Sequence, residues 1–225
     1  MKNWMSLKQI SIGLSFSFLV ACGLQVTTSD SKQISLPFYI SEDLTPHWIS
    51  EDSSAYDNIH RISDFSFTDQ DGREVTEKDI EGKIYVANFF FTTCPGVCRL
   101  MTNELLTVQE AFDAQDNVMI LSHTVMPWVD TVAQLKYFEQ LHELDGSMWK
   151  LLTGSKEDLY GIARTSYFAD EGFGKSVTES SDFLHTENVM LIDRHRRIRG
   201  VYNGTSKLDI KRLIEDIQQL EGTRH

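Results

Sequence analysis

Two of the three cysteines of this chain lie close together, at Cys94 and Cys98 in the stretch Cys-Pro-Gly-Val-Cys. Thiols at this separation could form a disulfide or act as a redox couple that exchanges disulfides with a partner. They could also supply half of the ligands of a soft metal ion. The choice among these roles depends on the secondary structure that carries the pair and on whether a third ligand exists.

The spacing of the pair distinguishes these roles only in part. Redox motifs of the Cys-x-x-Cys type have two intervening residues, whereas three residues separate Cys94 from Cys98. At positions i and i+4 of an ideal helix the Cα atoms lie roughly 6 Å apart, inside the disulfide range of about 4.4–6.8 Å but at the far side of its mode. A disulfide is therefore possible but strained, and two converging thiolates form a better chelate for a soft metal ion.

The residues around the pair predict a strand that turns into a helix. Ile84 to Phe91 is almost continuously apolar, which is typical of a strand buried on both faces. Apolar residues then recur at helical spacing, at Val97, Met101, Leu105, Val108 and Phe112. Pro95 suits the first helical position, where its missing N–H costs nothing. A helix N-terminus favours negative charge, so we expect a lowered pKa for the Cys94 thiol.

Strands and helices alternate along the rest of the chain. Alternating apolar residues around Asp71-Gly72 predict a β-hairpin. Ser155 and Ser206 are expected helix caps. The predicted later strands are Asn117 to Val125, Trp149 to Leu152, Glu187 to Asp193 and Ile198 to Gly204, the last two forming a second hairpin. This order predicts an α/β fold: a thioredoxin-like mixed sheet covered by helices, with N-terminal and C-terminal β-hairpins.

The overall composition excludes some partners. The chain has 225 residues, 41% of them hydrophobic, and a net charge of −12, which is typical of a folded protein without a basic surface for nucleic acid. We therefore expect no nucleic-acid partner. Residues 22–58 are polar and interrupted by few apolar positions, so we expect a tether and an extended arm, followed by the folded domain over residues 59–225.

The N-terminus has the pattern of an export signal. Lysines precede an apolar stretch from Ile10 to Ala21, which is too short to span a bilayer as a helix and has signal-peptide length. It ends in Leu-Val-Ala-Cys-Gly, which resembles the lipobox of bacterial lipoproteins and implies cleavage after residue 21 and lipidation of Cys22. The alternatives are an ordinary signal peptide or a short anchor. Lipidation would leave Cys94 and Cys98 as the only free thiols, in a compartment where disulfides persist.

Three stretches together resemble the Sco/SenC family of thioredoxin-fold copper proteins. They are Phe-Phe-Phe-Thr-Thr-Cys-Pro-Gly-Val-Cys, the segment from Leu152 to Arg164, and the segment from Asp182 to Gly204, so that the resemblance covers roughly Ile59 to Glu221. It implies that Cys94, Cys98 and His185 bind copper, as Cu(I) and, with an added ligand, as Cu(II). It further implies delivery to the dinuclear copper site of a cytochrome c oxidase, or to another cuproprotein. Together with the lipobox, it leads us to expect a protein that is lipid-anchored in the bacterial cell envelope and faces the periplasm.

Some positions depart from the family pattern without removing a ligand. Arg99 replaces the usual proline after the second cysteine, Met126 replaces the first acid of a family Asp-Pro-x-x-Asp-Thr segment, and Leu184 precedes the histidine.

Two functions remain open on the sequence. The first is a copper metallochaperone; the second is a thiol–disulfide oxidoreductase or redox sensor, in which Cys94 attacks and Cys98 resolves. His185 distinguishes them, since only metal binding needs it. His123, at the end of a predicted strand, could reach the edge of the site as a hydrogen-bond or proton donor, or could be a buried structural residue.

Overall fold

A five-stranded mixed β-sheet forms the centre of the structure, a computed structural model that describes residues 35–113, 115–169 and 186–222. Cys22 and His185 lie outside the described residues. In chain order the elements are β1 (Phe38–Tyr39), β2 (Pro46–His47), a short 3-10 helix (Tyr56–Asn58), β3 (Ser66–Thr68), β4 (Glu74–Thr76), β5 (Ile84–Phe90), α1 (Val97–Phe112), β6 (Val118–Thr124), α2 (Val132–Leu141), β7 (Trp149–Leu152), α3 (Lys156–Thr165), β8 (Asn188–Ile192), β9 (Ile198–Asn203) and α4 (Lys207–Gly222).

The strand order of the central sheet is β7-β6-β5-β8-β9. Strands β5, β6 and β7 are parallel, whereas β8 runs antiparallel to β5 and pairs with β9 as a hairpin. Because β5 ends where its parallel neighbour β6 ends and its antiparallel neighbour β8 begins, three backbone segments meet at this edge of the sheet. The stretch that carries Cys94 and Cys98 leaves the sheet there.

Apolar layers cover both faces of the sheet. Ile84 and Val86 of β5 face the layer formed with α1, α2 and α4, while Tyr85 and Ala87 face the layer formed with α3 and the β3–β4 hairpin. This alternation follows from the period of two along a strand. Every residue of β5 and β6 is buried, which explains the almost continuous apolar sequence of β5. The mixed α/β architecture is the one that the sequence predicts.

The hairpin predicted around Asp71-Gly72 is present as β3 and β4. Gly72 has φ of +74°, a left-handed conformation that glycine adopts without steric cost. Asp69 fixes the turn, because its carboxylate accepts the backbone N–H groups of Asp71 and Arg73, each at 2.9 Å. A local turn signal thus sufficed to locate this element.

The described part of the N-terminal segment packs against the edge strand β9. The guanidinium group of Arg199 donates hydrogen bonds to the carbonyl oxygens of Leu36 (2.5 Å) and Pro37 (3.0 Å) and lies 4.1 Å from the ring centroid of Phe38. Phe38 is buried. Among the described residues, no helix has the length and apolar character needed to cross a bilayer.

Candidate metal centre

Cys94 lies in the short loop between β5 and α1, and Cys98 lies in the first turn of that helix. The helix begins at Val97 with Gly96 as its N-cap, so the expectation that Pro95 occupies the first helical position is wrong. The reason is the backbone of Gly96, whose φ of −132° and ψ of −95° lie outside the helical region and delay the start of the helix. Gly96 has no side chain to accept the free N–H groups of the first turn.

The sulfur of Cys94 takes the place of a capping side chain. The backbone N–H of Cys98 donates to Cys94 Sγ at 3.4 Å. Burial alone would raise the pKa of Cys94, but hydrogen bonds from the Cys98 thiol and from the backbone N–H groups of Cys98, Gly96 and Val97 together lower that pKa below its ordinary value. The direction is the one expected at a helix N-terminus.

Cys98 differs from its neighbour in burial and in acidity. Its side chain is 5% exposed and packs in the apolar layer beneath α1, whereas Cys94 is half-buried. Burial, followed by the hydrogen bond to Cys94, raises the pKa of Cys98 to about 12. Both cysteines are free thiols. Cys94 is therefore the more accessible thiol and has a lowered pKa, whereas Cys98 is buried and keeps its proton at neutral pH.

The donor set fits a soft metal ion. Two sulfurs that already share a hydrogen bond can converge on one ion once they are deprotonated, and thiolates select Cu(I) and other soft ions. Within residues 35–113, 115–169 and 186–222, no group of three or more His, Cys, Asp or Glu side chains is arranged to hold a metal. His185, the third ligand that the sequence resemblance implies, lies outside those residues.

The described chain resumes at Thr186, at the end of the sheet from which the cysteine loop leaves β5. The Thr186 hydroxyl accepts the backbone N–H of Asn188 at 3.0 Å, immediately before β8. Strand β8 is antiparallel to β5, with Ala87 opposite Met190 and Tyr85 opposite Ile192. The start of β8 is therefore level with the end of β5, which leads to Cys94.

His123 is buried on the face of the sheet opposite the apolar layer that contains Cys98. It is fully buried and lies opposite Phe89 of β5. The rings of Phe65, Phe67, Phe89 and Tyr167 surround it at centroid distances of 5.2–6.4 Å. Neither of its ring nitrogens has a hydrogen-bond partner, and burial lowers its pKa to about 4. Of the two roles open on the sequence, the buried structural one is the role that this placement supports.

A residue that sequence reasoning left without a role lies behind the cysteine loop. Asp130 is fully buried, and its carboxylate accepts hydrogen bonds from the backbone N–H and the hydroxyl of Thr92, two residues before Cys94. The sequence signal was its place in the Asp-Thr pair that precedes α2, but nothing local reveals that the side chain turns inward.

A cavity formed by described residues lies apart from the cysteine pair. A cavity of about 410 Å³ opens near the β8–β9 turn, at the opposite edge of the sheet, and is lined by side chains of both charges, including Arg61, Asp64, Glu81 and Arg194. Since the distribution of charge there is mixed and no thiol contributes, it offers no comparable chemistry. Of the two thiols, the half-buried Cys94 is the one that solvent can reach.

Several solved structures are similar to this chain. A SCO1/SenC family lipoprotein from Bacillus anthracis is 32% identical, with a TM-score of 0.63 over 72% of this chain and 95% of that one. BsSco, described as a member of the Sco family of cytochrome c oxidase assembly proteins with a disulfide switch, is 26% identical, with a TM-score of 0.62 over 73% and 95%. Copper-bound ScoI of Bradyrhizobium japonicum is 27% identical, with a TM-score of 0.57 over 70% and 98%.

The family model for SCO1/SenC matches residues 54–221, which include both cysteines, His185 and every strand of the central sheet. The match covers about three quarters of the chain, and the fold agrees with that of the solved members. This protein belongs to the SCO1/SenC family.

Proposed function

We propose that this protein is a copper metallochaperone that holds one copper ion through Cys94, Cys98 and His185 and passes it to a cuproprotein of the bacterial cell envelope. The observation that carries the proposal is the asymmetric thiol pair at the N-terminus of α1, in which Cys94 is accessible and Cys98 is buried. The copper-bound structure of a family member supports the choice of metal. Two thiolates and one imidazole suit Cu(I), and an added ligand would let them hold Cu(II).

The arrangement suits transfer better than storage. A recipient can approach Cys94 from solvent, while Cys98 is covered by the apolar layer. Ligands can then be exchanged one at a time, the accessible sulfur first and the buried sulfur last. His185, on the segment before β8, would complete the set from a separate part of the chain and could leave without disturbing α1.

The recipient and the attachment to the membrane are further parts of the proposal. The likeness to BsSco favours a cytochrome c oxidase subunit, at its dinuclear copper site, over other cuproproteins. Lipidation of Cys22 would hold the domain on a membrane, and the description of the Bacillus anthracis relative as a lipoprotein supports such an anchor. We propose that the anchored domain faces the periplasm. Several acyl chains bind a membrane stably, where one does not.

Titration of the reduced full-length protein with Cu(I), against a chelator of known affinity, tests the site. We expect one tightly bound ion per chain in the parent and a large loss of affinity in Cys94→Ser, Cys98→Ser and His185→Ala. Cells that carry His185→Ala in place of the parent should fail to assemble a copper-loaded oxidase. A His185→Ala protein that binds copper as tightly as the parent would overturn the three-ligand site.

The same geometry favours a second candidate, a thiol–disulfide oxidoreductase. The Cys94 thiolate would attack a partner disulfide and form a mixed disulfide, and the Cys98 thiol would lose its proton and resolve it. The Cys94–Cys98 disulfide and a reduced partner dithiol would result. The lowered pKa of Cys94 is the observation behind this candidate. His185→Ala should leave exchange activity intact and Cys94→Ser should abolish it, so the two functions respond differently to one histidine.

A further inference from the structure

The carboxyl group of Asp130 joins three separate segments next to the cysteine loop. Thr92, in the turn after β5, donates to it through its hydroxyl (2.5 Å) and its backbone N–H (3.2 and 3.3 Å to the two oxygens). Thr124, the last residue of β6, donates through its hydroxyl. The Asp130 N–H in turn donates to the Met126 carbonyl oxygen at 2.9 Å, within the turn that leads to α2.

A carboxyl group in this position is costly unless its oxygens are satisfied. Asp130 is fully buried, and burying a polar group without hydrogen-bond partners costs several kcal/mol. Both of its oxygens here have a threonine hydroxyl and share the Thr92 N–H. These hydrogen bonds offset the free-energy cost of burying the carboxyl group, but only while the turn that contains Thr92 (the Thr92 turn) stays in place. Loss of the carboxyl group would leave buried donors without an acceptor.

Thr92 connects this junction to the thiol pair. It lies inside a turn that is closed by a hydrogen bond from the Cys94 N–H to the Phe91 carbonyl oxygen at 3.3 Å. Held at both its backbone and its side chain, Thr92 determines how this turn leaves the sheet and so where the Cys94 sulfur meets the first N–H groups of α1. Asp130 also lies near enough to Cys98 to add, after burial and the Cys94 contact, to the rise in its pKa.

We infer that Asp130 is a positioning residue of the metal site, which holds the Thr92 turn so that Cys94 and Cys98 converge on one ion. The inference rests on the proposed copper function for its ligand, but the geometry on which it depends is present in the protein without metal. Residues that orient ligands in this way typically change metal affinity by about 10–100-fold when they are replaced.

The test uses matched substitutions at the two threonines. Thr92→Val keeps the branched shape and removes the hydroxyl, while Thr92→Ser keeps the hydroxyl. Thr124→Val removes the other hydroxyl that meets Asp130, but on a strand that carries no cysteine. In the full-length protein we expect the dissociation constant for Cu(I) to rise about tenfold in Thr92→Val. It should stay within about twofold of the parent in Thr92→Ser and within about threefold in Thr124→Val, whatever the losses in Tm.

A second measurement follows the metal-free protein. The ratio of the alkylation rates of Cys94 and Cys98 reports how the two sulfurs are presented, and we expect it to change in Thr92→Val and to return to the parent value in Thr92→Ser. Asp130→Ala should reproduce the Thr92→Val effects if it folds, as circular dichroism would establish.

The outcomes separate this inference from the proposed function. If Thr92→Val shows the parent's copper affinity and alkylation ratio with only a lower Tm, Asp130 serves stability alone and the inference falls. Equal losses of copper affinity in Thr92→Val and Thr124→Val would overturn it as well, since they would indicate that both variants weaken the packing at this end of the sheet in general. If the parent binds no copper, the proposed function fails, and the alkylation ratio still decides whether Asp130 positions the pair.

Discussion

The ends of the two central strands β5 and β6 make an instructive contrast. The strands are parallel and in register, with Phe89 opposite His123, and each carries a residue that metals commonly bind at or just beyond its end. Cys94, four residues after β5, is half-buried and accepts hydrogen bonds from a helix N-terminus. His123, within β6, is enclosed by aromatic rings and has no hydrogen-bond partner.

The difference shows that position along a strand decides what a reactive side chain can do. A residue inside a central strand must point into one of the two covered faces, and the side chain of His123 points into the aromatic one. A residue past the end of the strand lies at the edge of the sheet, where loops bring together side chains from different elements. Chemical type made both residues candidates, but only one of them can be reached.

The largest effect should come from substituting Cys94 and, as the matched control, His123, and measuring copper affinity. Cys94→Ser removes a proposed ligand, so we expect the Cu(I) dissociation constant to rise by more than about 100-fold, beyond the range typical of residues that only support ligands. His123→Leu keeps a similar volume and should leave that constant unchanged. Chelator competition on the purified proteins measures both. A marked loss of affinity in folded His123→Leu would break the comparison.

The next effect concerns acid stability. An unfolded histidine has a pKa near 6.5, whereas that of His123 is about 4, so between these values the unfolded state binds more protons. The unfolding free energy should therefore fall as the pH drops from about 7, with a loss from this group of about 3 kcal/mol by pH 4. In His123→Leu this part of the loss should vanish. Urea unfolding of both proteins at several pH values measures it, and parallel pH profiles would contradict it.

A smaller effect should separate the two sulfurs of the metal-free protein. Cys94 is more exposed and has the lowered pKa, while that of Cys98 is about 12, and the thiolate is the reactive form. We expect iodoacetamide to modify Cys94 at least about tenfold faster at neutral pH. Mass spectrometry of a time course identifies the modified site. Faster modification of Cys98 would mean that the apolar layer over it opens readily.

The smallest effect provides the control for stability. The Thr131 side chain caps α2 by accepting the Gln134 N–H at 3.3 Å, and Thr131 follows Asp130 in the chain. Thr131→Ala should cost about 1 kcal/mol of unfolding free energy, the usual value for a lost N-cap. Its copper affinity should stay that of the parent, because the hydroxyl bonds to the backbone of α2 and not to the turn that carries Cys94. A change in affinity would show that stability and metal binding are coupled at this edge of the sheet.

The parts of the structure that the sequence predicted are those fixed by local patterns. Trp149–Leu152 forms the expected strand, and Ser155 caps α3 by accepting the Asp158 N–H. The start of α1 was misplaced because the proline signal at Pro95 was outweighed by the backbone of Gly96.

Long-range contacts set the remainder of the site. Asp130 meets Thr92, which is 38 residues away in the chain, only when the end of β5 packs against the turn before α2, so no short window of sequence reveals this contact. The face to which His123 points was equally hidden, because all residues of β6 are buried and the strand shows no alternation of apolar and polar residues.

The hydrogen bond from the Cys98 amide to the Cys94 sulfur has a practical consequence. A sulfur that bonds to a metal or to a second sulfur has less electron density to share with that amide. The proton chemical shift of the Cys98 amide, and its rate of exchange with solvent, should therefore track whether the protein is empty, loaded or oxidised. NMR signals from the first turn of α1 should therefore report the metal-bound and redox state of the cysteine pair without a label at the site.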